Sequence, residues 1–170
     1  FGGEISNYLK SIDIMKFTGK IYTIGPENIS FGYRYSSLKP DEFILLARFE
    51  LPETSPEIIQ EKRARASQER KNSQPLRFRS AGSVFKNPGN NLAAGYLIDQ
   101  AGLKGTCVGD AEISTHHANF FVNHGSAKAT DIAKLIRLAR KTVYEKYGVM
   151  LELEVNTIGF SKSELDPYAA

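Results

Sequence analysis

The stretch Ser80-Ala81-Gly82-Ser83-Val84-Phe85-Lys86-Asn87-Pro88 brings a hydroxyl, an amide and an ammonium group close together in the chain. Gly82 permits backbone conformations that other residues avoid, so the chain can approach a ligand closely there. Ser83 can give or take a proton, and Asn87 adds two donors and one acceptor. Residues 88–90, Pro-Gly-Asn, predict a turn. Composition alone is typical of a surface loop, so a functional role needs support from elsewhere in the chain.

That support comes from four further segments, which follow one another in an order similar to that of a known family. They are FGYRYS at 31–36, AAGYLIDQAGLKG at 93–105, HANF at 117–120 with Asn123, and LELEV at 151–155. Together with the serine stretch they resemble the UDP-N-acetylenolpyruvoylglucosamine reductases, the flavoenzymes of peptidoglycan precursor synthesis. The resemblance covers nearly the whole chain, and the serine stretch is similar to the catalytic loop of that family.

The resemblance implies an α+β fold, in which a C-terminal substrate-binding α+β domain follows the β-rich remnant of a flavin-binding domain. We expect the remnant at 1–54, a connecting helix and linker at 55–75, the substrate-binding domain at 76–160 and a tail at 161–170. In the family a glycine-rich flavin-binding half precedes this tract. We therefore expect that half as the missing partner, and no activity from this chain alone.

Three catalytic residues are implied by the same resemblance: Ser83 as proton donor, with Glu154 and Arg34 acting jointly at the substrate carboxylate and enolate. A serine hydroxyl is a poor acid in water, so its neighbours and the exclusion of solvent must help it. Either Arg34 offsets the repulsion between Glu154 and the substrate carboxylate, or Glu154 is protonated and donates. The sequence leaves both alternatives open. Without the resemblance, Glu154 would be interpreted as an exposed strand glutamate.

Tyr33, Asn87, Lys104 and His117 are the substrate-binding candidates. Lys104 offers a mobile ammonium for a pyrophosphate. His117 stands where some family members carry glutamine, which favours a neutral hydrogen-bonding role. Without the resemblance, Lys104 is a loop lysine and His117 is equally well a structural histidine. Residues 48–80 contain no tyrosine, so the chain resembles the shorter subtype, which lacks an inserted lid tyrosine.

The implied reaction uses two cofactors, FAD and NADPH. NADPH reduces bound FAD, and the flavin then reduces UDP-N-acetylglucosamine enolpyruvate to UDP-N-acetylmuramate. A flavin protein of related fold that acts on another substrate is a further interpretation, against which only the resemblance argues. The net charge of +3 suits an anionic small ligand as well as nucleic acid. The alternative of a different class is therefore a nucleic-acid or nucleotide binding module that uses the basic tract from Lys62 to Arg79.

Neither nucleic acid nor a membrane is the partner that we expect. The longest apolar run, residues 43–47, is far too short to span a bilayer. The single cysteine, Cys107, fits a reducing cytoplasm. A metal site is not expected either, because the nearby residues His116, His117, His124, Cys107 and Asp110 lack metal-binding spacings.

Hydrophobic periodicity and turn residues predict the secondary structure. Residues 1–51 are expected to be β, with a hairpin over 12–24 and a strand over 43–51 buried on both faces. A helix begins after Ser55 and runs to about Arg70. The C-terminal part is predicted as a helix over 93–101 ended by Gly102, a strand over 120–122, a long helix capped by Thr130 and ended by Gly148, a strand over 149–155 and a frayed tail.

Overall fold

The computed structural model describes residues 3–89 and 91–169, which form two compact units, one up to Ala66 and one from Ser67 onward. Asn90, in the predicted turn, lies outside the described residues. Its neighbour Gly89 has φ +88°, and the Gly89 carbonyl accepts a hydrogen bond from the Leu92 amide at 2.9 Å. The domain boundaries proposed from the sequence stay predictions.

The first unit contains a three-stranded antiparallel sheet and a small hairpin. Its strands are β1 (Leu9–Lys16), β2 (Ile21–Ile24), β3 (Phe31–Gly32), β4 (Tyr35–Ser36) and β5 (Glu42–Phe49). The sheet order is β2-β1-β5, and β3 pairs with β4. Ile12, Ile14 and Ile29 are its buried residues. The predicted hairpin over 12–24 is confirmed, with Gly19 at φ +80° in its turn.

The prediction that residues 43–51 form a strand buried on both faces is wrong in one respect. The strand exists as β5, but Phe43, Ile44, Leu45 and Leu46 are each between 43% and 54% exposed. The reason is that β5 pairs only with β1 among the described residues, so it is an edge strand of a small sheet. An apolar run indicates a strand without indicating how many layers cover it.

The first helix, α1 (Pro56–Ser73), begins as the sequence predicts. The Ser55 hydroxyl accepts a hydrogen bond from the Ile58 amide at 3.4 Å, and Pro56 occupies the first helical position. No residue of α1 is buried, which agrees with the solvated face that its many charges indicate.

The second unit is α+β, which confirms the fold class. Its elements are β6 (Arg79–Ser83), α2 (Ala94–Gln100), β7 (Cys107–Val108), β8 (Ala111–Ile113), β9 (Phe120–Asn123), α3 (Ala129–Tyr147) and α4 (Lys162–Leu165). An antiparallel sheet has the order β6-β9-β8-β7, and α3 packs against β7, β8, α2 and α4. The largest fully buried side chains of this unit include Phe85, Ile98, Ile113, Leu135 and Leu151.

At the two ends of α3, one prediction is confirmed and one is wrong. Gly148 ends the helix at φ +68°, as predicted. At the other end Lys128 is the N-cap residue, and the Asp131 carboxylate accepts a hydrogen bond from the Lys128 amide at 2.9 Å. Thr130 therefore lies inside the first turn, and its prediction as the cap is wrong. Asp131 competes better because its carboxylate reaches back across the turn.

The predicted strand over 149–155 is also wrong. This segment makes a single bridge, between Leu153 and Phe85, and is otherwise irregular. Burial alternates only at residues 151 and 152, where Leu151 is buried and Glu152 is exposed, since residues 153–155 are all partly exposed. The pairing stops because its partner segment reaches Pro88, which has no amide hydrogen to donate.

The C-terminal tail is ordered instead of frayed. Residues 162–165 form α4, and the Glu164 carboxylate accepts hydrogen bonds from both the amide and the hydroxyl of Ser161 at 2.7 Å. Leu165 is only 6% exposed and joins the core of the second unit. The Ser-x-x-Glu pattern at 161–164 is a signal that the sequence analysis missed. None of the helices in residues 3–89 and 91–169 combines the length and the apolar character that a membrane span requires.

Candidate functional site

Ser83 is oriented by an irregularity in β6. The pairing of β6 with β9 shifts between Ser80 and Ser83, and Gly82 in that interval has φ +84°. An extra residue in one strand bends it and changes the direction of the side chain that follows, and glycine is the residue that tolerates this backbone. Among residues 3–89 and 91–169, no group forms a hydrogen bond with the Ser83 hydroxyl. Ser83 itself is half-buried.

Backbone hydrogen bonds fix Glu154 relative to Ser83. The Glu154 amide donates to the Val84 carbonyl at 2.8 Å, and the Lys86 amide donates to the Glu152 carbonyl at 2.8 Å. The Lys86 ammonium also pairs with the Glu152 carboxylate. Glu154 therefore hydrogen-bonds to the residue that follows Ser83, although the two lie far apart in the sequence.

A cavity of about 920 Å³ contains both side chains and is here called the carboxylate cavity. Its lining includes Arg70, Arg79, Gly82, Ser83, Glu154 and Asn156. Two guanidinium groups in one cavity favour an anionic ligand, and the glutamate moderates their charge. A hydroxyl, a carboxylic group and two cations thus line one cavity.

A second cavity of about 300 Å³, the histidine cavity, also has Ser83 in its wall. Its other lining residues include Asn87, Lys104, His116 and His117. The Lys104 ammonium pairs with the Asp99 carboxylate at 2.7 Å. The Asn87 side-chain oxygen accepts a hydrogen bond from the Ala94 amide at 3.0 Å, at the start of α2. Ser83 is therefore a residue that the two cavities share.

His117 has its tautomer set by its surroundings. Its Nδ1 accepts a hydrogen bond from the Asn119 amide at 3.2 Å, so the neutral ring carries its proton on Nε2. Burial lowers the pKa of His117, and the positive charges of Lys104 and His116 lower it further. These surroundings favour a neutral imidazole that donates from Nε2, and the neutral hydrogen-bonding role given to His117 stays a prediction.

Tyr33 and Arg34 belong to the first unit, where they form the turn between β3 and β4. Arg34 has φ +55°, which is uncommon for a residue with a side chain. Its guanidinium lies over the Tyr33 ring, 5.1 Å from the ring centroid. The two predicted site residues thus contact each other, and their relation to Ser83 stays a prediction.

A third cavity, here called the apolar cavity, has a volume of about 510 Å³. Val84, Ile132 and Ile136 contribute to its lining. The residues that it shares with the carboxylate cavity are Arg79, Ser80, Ala81, Val155 and Asn156. The segments that carry Ser83 and Glu154 therefore form walls of two adjacent cavities.

Sequence reasoning missed two contributors to the site. Arg70 lies near the end of α1, an exposed helix to which the sequence assigned no part in the site, yet it lines the carboxylate cavity. Asn119 is buried and binds the backbone next to Ser83. Its place in the HANF segment was the only signal available. Where the chain is described, no group of three or more His, Cys, Asp or Glu residues is arranged to hold a metal ion.

Comparison with known proteins identifies a family whose model matches residues 74–158: the C-terminal domain of UDP-N-acetylenolpyruvoylglucosamine reductase. A relative named UDP-N-acetylenolpyruvoylglucosamine reductase from Exiguobacterium sibiricum is 42% identical over 160 residues, 94% of this chain and 52% of the relative. Another, UDP-N-acetylenolpyruvoylglucosamine reductase 2 from Bacillus cereus, is 44% identical over 163 residues, 95% of this chain and 53% of the relative.

Solved structures agree with these relatives. The crystal structure of UDP-N-acetylenolpyruvylglucosamine reductase from Thermus caldophilus superimposes with a TM-score of 0.79 at 41% identity, over 91% of this chain and 54% of that one. The chain spans about half the length of the curated relatives it matches. None of these similarities supports the nucleic-acid alternative.

Proposed function

Because the chain belongs to the UDP-N-acetylenolpyruvoylglucosamine reductase family, we propose that it carries the substrate-binding and proton-donating part of that activity. The activity is the NADPH-dependent, flavin-mediated reduction of UDP-N-acetylglucosamine enolpyruvate in peptidoglycan precursor synthesis, in the cytoplasm. The observation that carries the proposal is the position of Ser83, which lines both the carboxylate cavity and the histidine cavity.

Reduction of the enolpyruvyl double bond needs a hydride at one carbon and a proton at its neighbour. The negative charge that develops on the substrate enolate must be stabilised until the proton arrives. We assign proton donation to the Ser83 hydroxyl, and stabilisation of the carboxylate and enolate to Glu154 with Arg34. Arg70 and Arg79 add positive charge in the cavity that contains Ser83 and Glu154.

The nucleotide part of the substrate is assigned to the histidine cavity. Lys104 would exchange the Asp99 carboxylate for a phosphate oxygen, and the Nε2 proton of His117 would donate to the sugar or to a phosphate. Asn87 holds the start of α2 with its side-chain oxygen, and we assign its side chain to the wall of the histidine cavity against which the sugar or the phosphates would lie. Tyr33 would contact the substrate from its position beside Arg34.

The carboxylate cavity fits the flavin in one respect. Gly82 has no side chain, and within residues 3–89 and 91–169 no atom outside its chain neighbours lies within 4 Å of where a Cβ would stand. This open space leaves room for a planar group, and we assign Ala81 and Gly82, which line the cavity, to the wall that would hold the flavin. Bound flavin would supply the hydride, and NADPH would reduce the flavin.

Replacement of the hydroxyl tests the proposal directly. In the protein expressed from its complete reading frame, Ser83→Ala should slow oxidation of the reduced flavin by the enolpyruvyl substrate by about 10²- to 10⁴-fold, the usual contribution of a positioned proton donor. Reduction of the flavin by NADPH should change little, because Ser83 has no role there. Stopped-flow absorbance measures the two half-reactions separately.

A matched control is Ser126→Ala, which removes a hydroxyl that lines none of the three cavities described above. It should leave both half-reactions unchanged. Equal slowing of the two half-reactions in Ser83→Ala would overturn the role given to Ser83. Absence of any turnover of the enolpyruvyl substrate in the unsubstituted protein would overturn the proposed function itself.

A further inference from the structure

Asn119 is a buried polar residue that uses its whole side chain to hold the backbone beside Ser83. It lies just before β9 and is 4% exposed. Its Oδ1 accepts a hydrogen bond from the Phe85 amide at 2.9 Å, and its Nδ2 donates to the Phe85 carbonyl at 2.8 Å. A buried amide with both ends satisfied by one residue forms a fixed clamp, because breaking it would leave polar groups without partners in the core.

The backbone of Asn119 extends the clamp in two directions. Its carbonyl accepts a hydrogen bond from the Val84 amide at 2.8 Å, and its amide donates to His117 Nδ1 at 3.2 Å. The Val84 carbonyl in turn accepts the Glu154 amide at 2.8 Å. Asn119 is thus joined, directly or through one residue, to the segments that carry Ser83, His117 and Glu154.

The amide chemistry of this side chain is required by the pattern of its bonds. One end must accept and the other must donate, and an aspartate carboxylate can only accept. Aspartate at position 119 would keep the bond to the Phe85 amide, but it would face the Phe85 carbonyl with a second oxygen. The loop would then have to move, and the residues that precede Phe85 would move with it.

We propose that Asn119 is a positioning residue, which holds the Ser83 hydroxyl at the position from which it donates a proton to the substrate. The inference rests on the function proposed above and adds to it a residue that touches no substrate. Its effect is transmitted through Phe85 and Val84, so it depends on the presence of the Ser83 hydroxyl.

Asn119→Asp in the protein expressed from its complete reading frame is the test. At a temperature well below the melting temperature of the variant, oxidation of reduced flavin by the enolpyruvyl substrate should slow at least tenfold. Reduction of the flavin by NADPH should change less than twofold. A residue that matters only for stability would lower the melting temperature and leave both half-reactions alike, and that result would overturn the proposal.

Asn123→Asp, at the end of the strand that follows Asn119, is the matched control. The Asn123 Oδ1 accepts from the amides of Gly125 at 2.7 Å and Ala127 at 3.1 Å, and aspartate keeps both bonds. This variant should leave both half-reactions within twofold of the unsubstituted rates. A tenfold loss in this variant as well would overturn the proposal, since the clamp at Phe85 would not be the cause.

The double variant Ser83→Ala Asn119→Asp separates this inference from the proposed function. Because Asn119 acts through Ser83, the aspartate should add less than a threefold loss once the hydroxyl is gone. An undiminished tenfold loss in the double variant would overturn the positioning role while the role of Ser83 remained intact. If Ser83→Ala alone leaves the flavin oxidation rate unchanged, the proposed function fails and this inference fails with it.

If Asn119→Asp does not fold, amide hydrogen exchange of the unsubstituted protein decides the question. The clamp predicts that the Phe85 amide exchanges only when the second unit unfolds, at the rate of the Leu135 amide in the middle of α3. Exchange of the Phe85 amide at the rate of the exposed residues Arg77 and Phe78 would overturn the proposal.

Discussion

His117 lies against a helix because position 95 carries no side chain. Gly95 belongs to the first turn of α2 and has ordinary helical backbone, so its conformation does not call for glycine. Glycine is needed there because space is short: a Cβ at position 95 would lie 3.1 Å from Cε1 and 3.5 Å from Nδ1 of His117. The missing carbon leaves room for the imidazole, with its Nδ1 bonded to the Asn119 amide.

Gly95→Ala should therefore weaken ligand binding without lowering the stability of the fold. Alanine is favoured over glycine in a helix by up to about 1 kcal/mol, so the melting temperature should stay level or rise. The imidazole must shift by a few tenths of an ångström, and loss of one hydrogen bond of about 1 kcal/mol would weaken binding of the UDP-sugar about fivefold. Calorimetric titration measures the affinity. If the same alanine weakens binding equally in a His117→Gln background, the imidazole is not the cause.

The sequence could predict which side chains line the site. The motifs indicated Ser83, Glu154, Asn87, Lys104 and His117, and the structure brings all five to the walls of two cavities that share Ser83. Their catalytic and binding roles stay predictions. The clamp by Asn119 could not be predicted, because a buried amide and an exposed one look alike in a sequence, and only the fold decides which backbone groups lie opposite.

Among the elements of the first unit, the three strands of the sheet are linked by hydrogen bonds between side chains. Arg48 on β5 donates two hydrogen bonds of 2.8 Å to the carboxylate of Asp13 on β1, and Thr23 on β2 donates to the same carboxylate at 2.7 Å. These donors lower the pKa of Asp13 to about 2, with Arg48 as the larger cause.

The stability of this sheet should consequently fall in acid. A carboxyl whose folded pKa lies below its unfolded value of 3.8 stabilises the fold at neutral pH, and this stabilisation is lost as the pH falls from about 4 to 2. Asp13→Asn should lower the stability at pH 7 and flatten the curve over that interval. Urea unfolding followed by circular dichroism at a series of pH values measures it.

Glu50→Gln is the control for this prediction. Glu50 pairs with Lys10, and both side chains are mostly exposed, at 74% and 68%, so solvent screens the pair and little stability depends on it. An Asp13→Asn curve as steep as that of the unsubstituted chain would show that another carboxyl governs the acid transition.

Elements with a strong hydrophobic periodicity were predicted correctly. Elements that depend on pairing between segments far apart in the chain were not. The apolar stripe of α3 and the Gly148 that ends it are local signals, and the structure contains both. Residues 149–155 alternate like a strand, but a ladder also needs a partner long enough to pair with. The partner here is the three residues from Val84 to Lys86, and nothing in the local pattern of either segment reveals that limit.

The helix α4, which follows α3 in the chain, adds a side chain to the core of the second unit. Leu165 from α4 is buried, and Arg140 of α3 donates to the Leu165 carbonyl at 3.2 Å. Arg137, also on α3, hydrogen-bonds to the Ser163 carbonyl. The last helix is thus held by apolar packing and by cations that bind its free carbonyl groups.

Leu165→Ala should destabilise the second unit by about 2 to 4 kcal/mol, the usual cost of emptying a buried leucine site. Ile158→Ala is the matched control, since Ile158 is 93% exposed and its loss should change stability by less than about 0.5 kcal/mol. Amide exchange measures the effect in each unit separately. Equal loss of protection before and after Ala66 would contradict an effect confined to the second unit.

The apolar cavity has a practical consequence for inhibitor discovery. Ala81 and Val155 wall both this cavity and the carboxylate cavity, and they flank Ser83 and Glu154 along the chain. A compound lodged there would press on the segments that carry the hydroxyl and the carboxylate without imitating a nucleotide. Under the function proposed above, uncharged compounds therefore have a starting point in this cavity for inhibitor design.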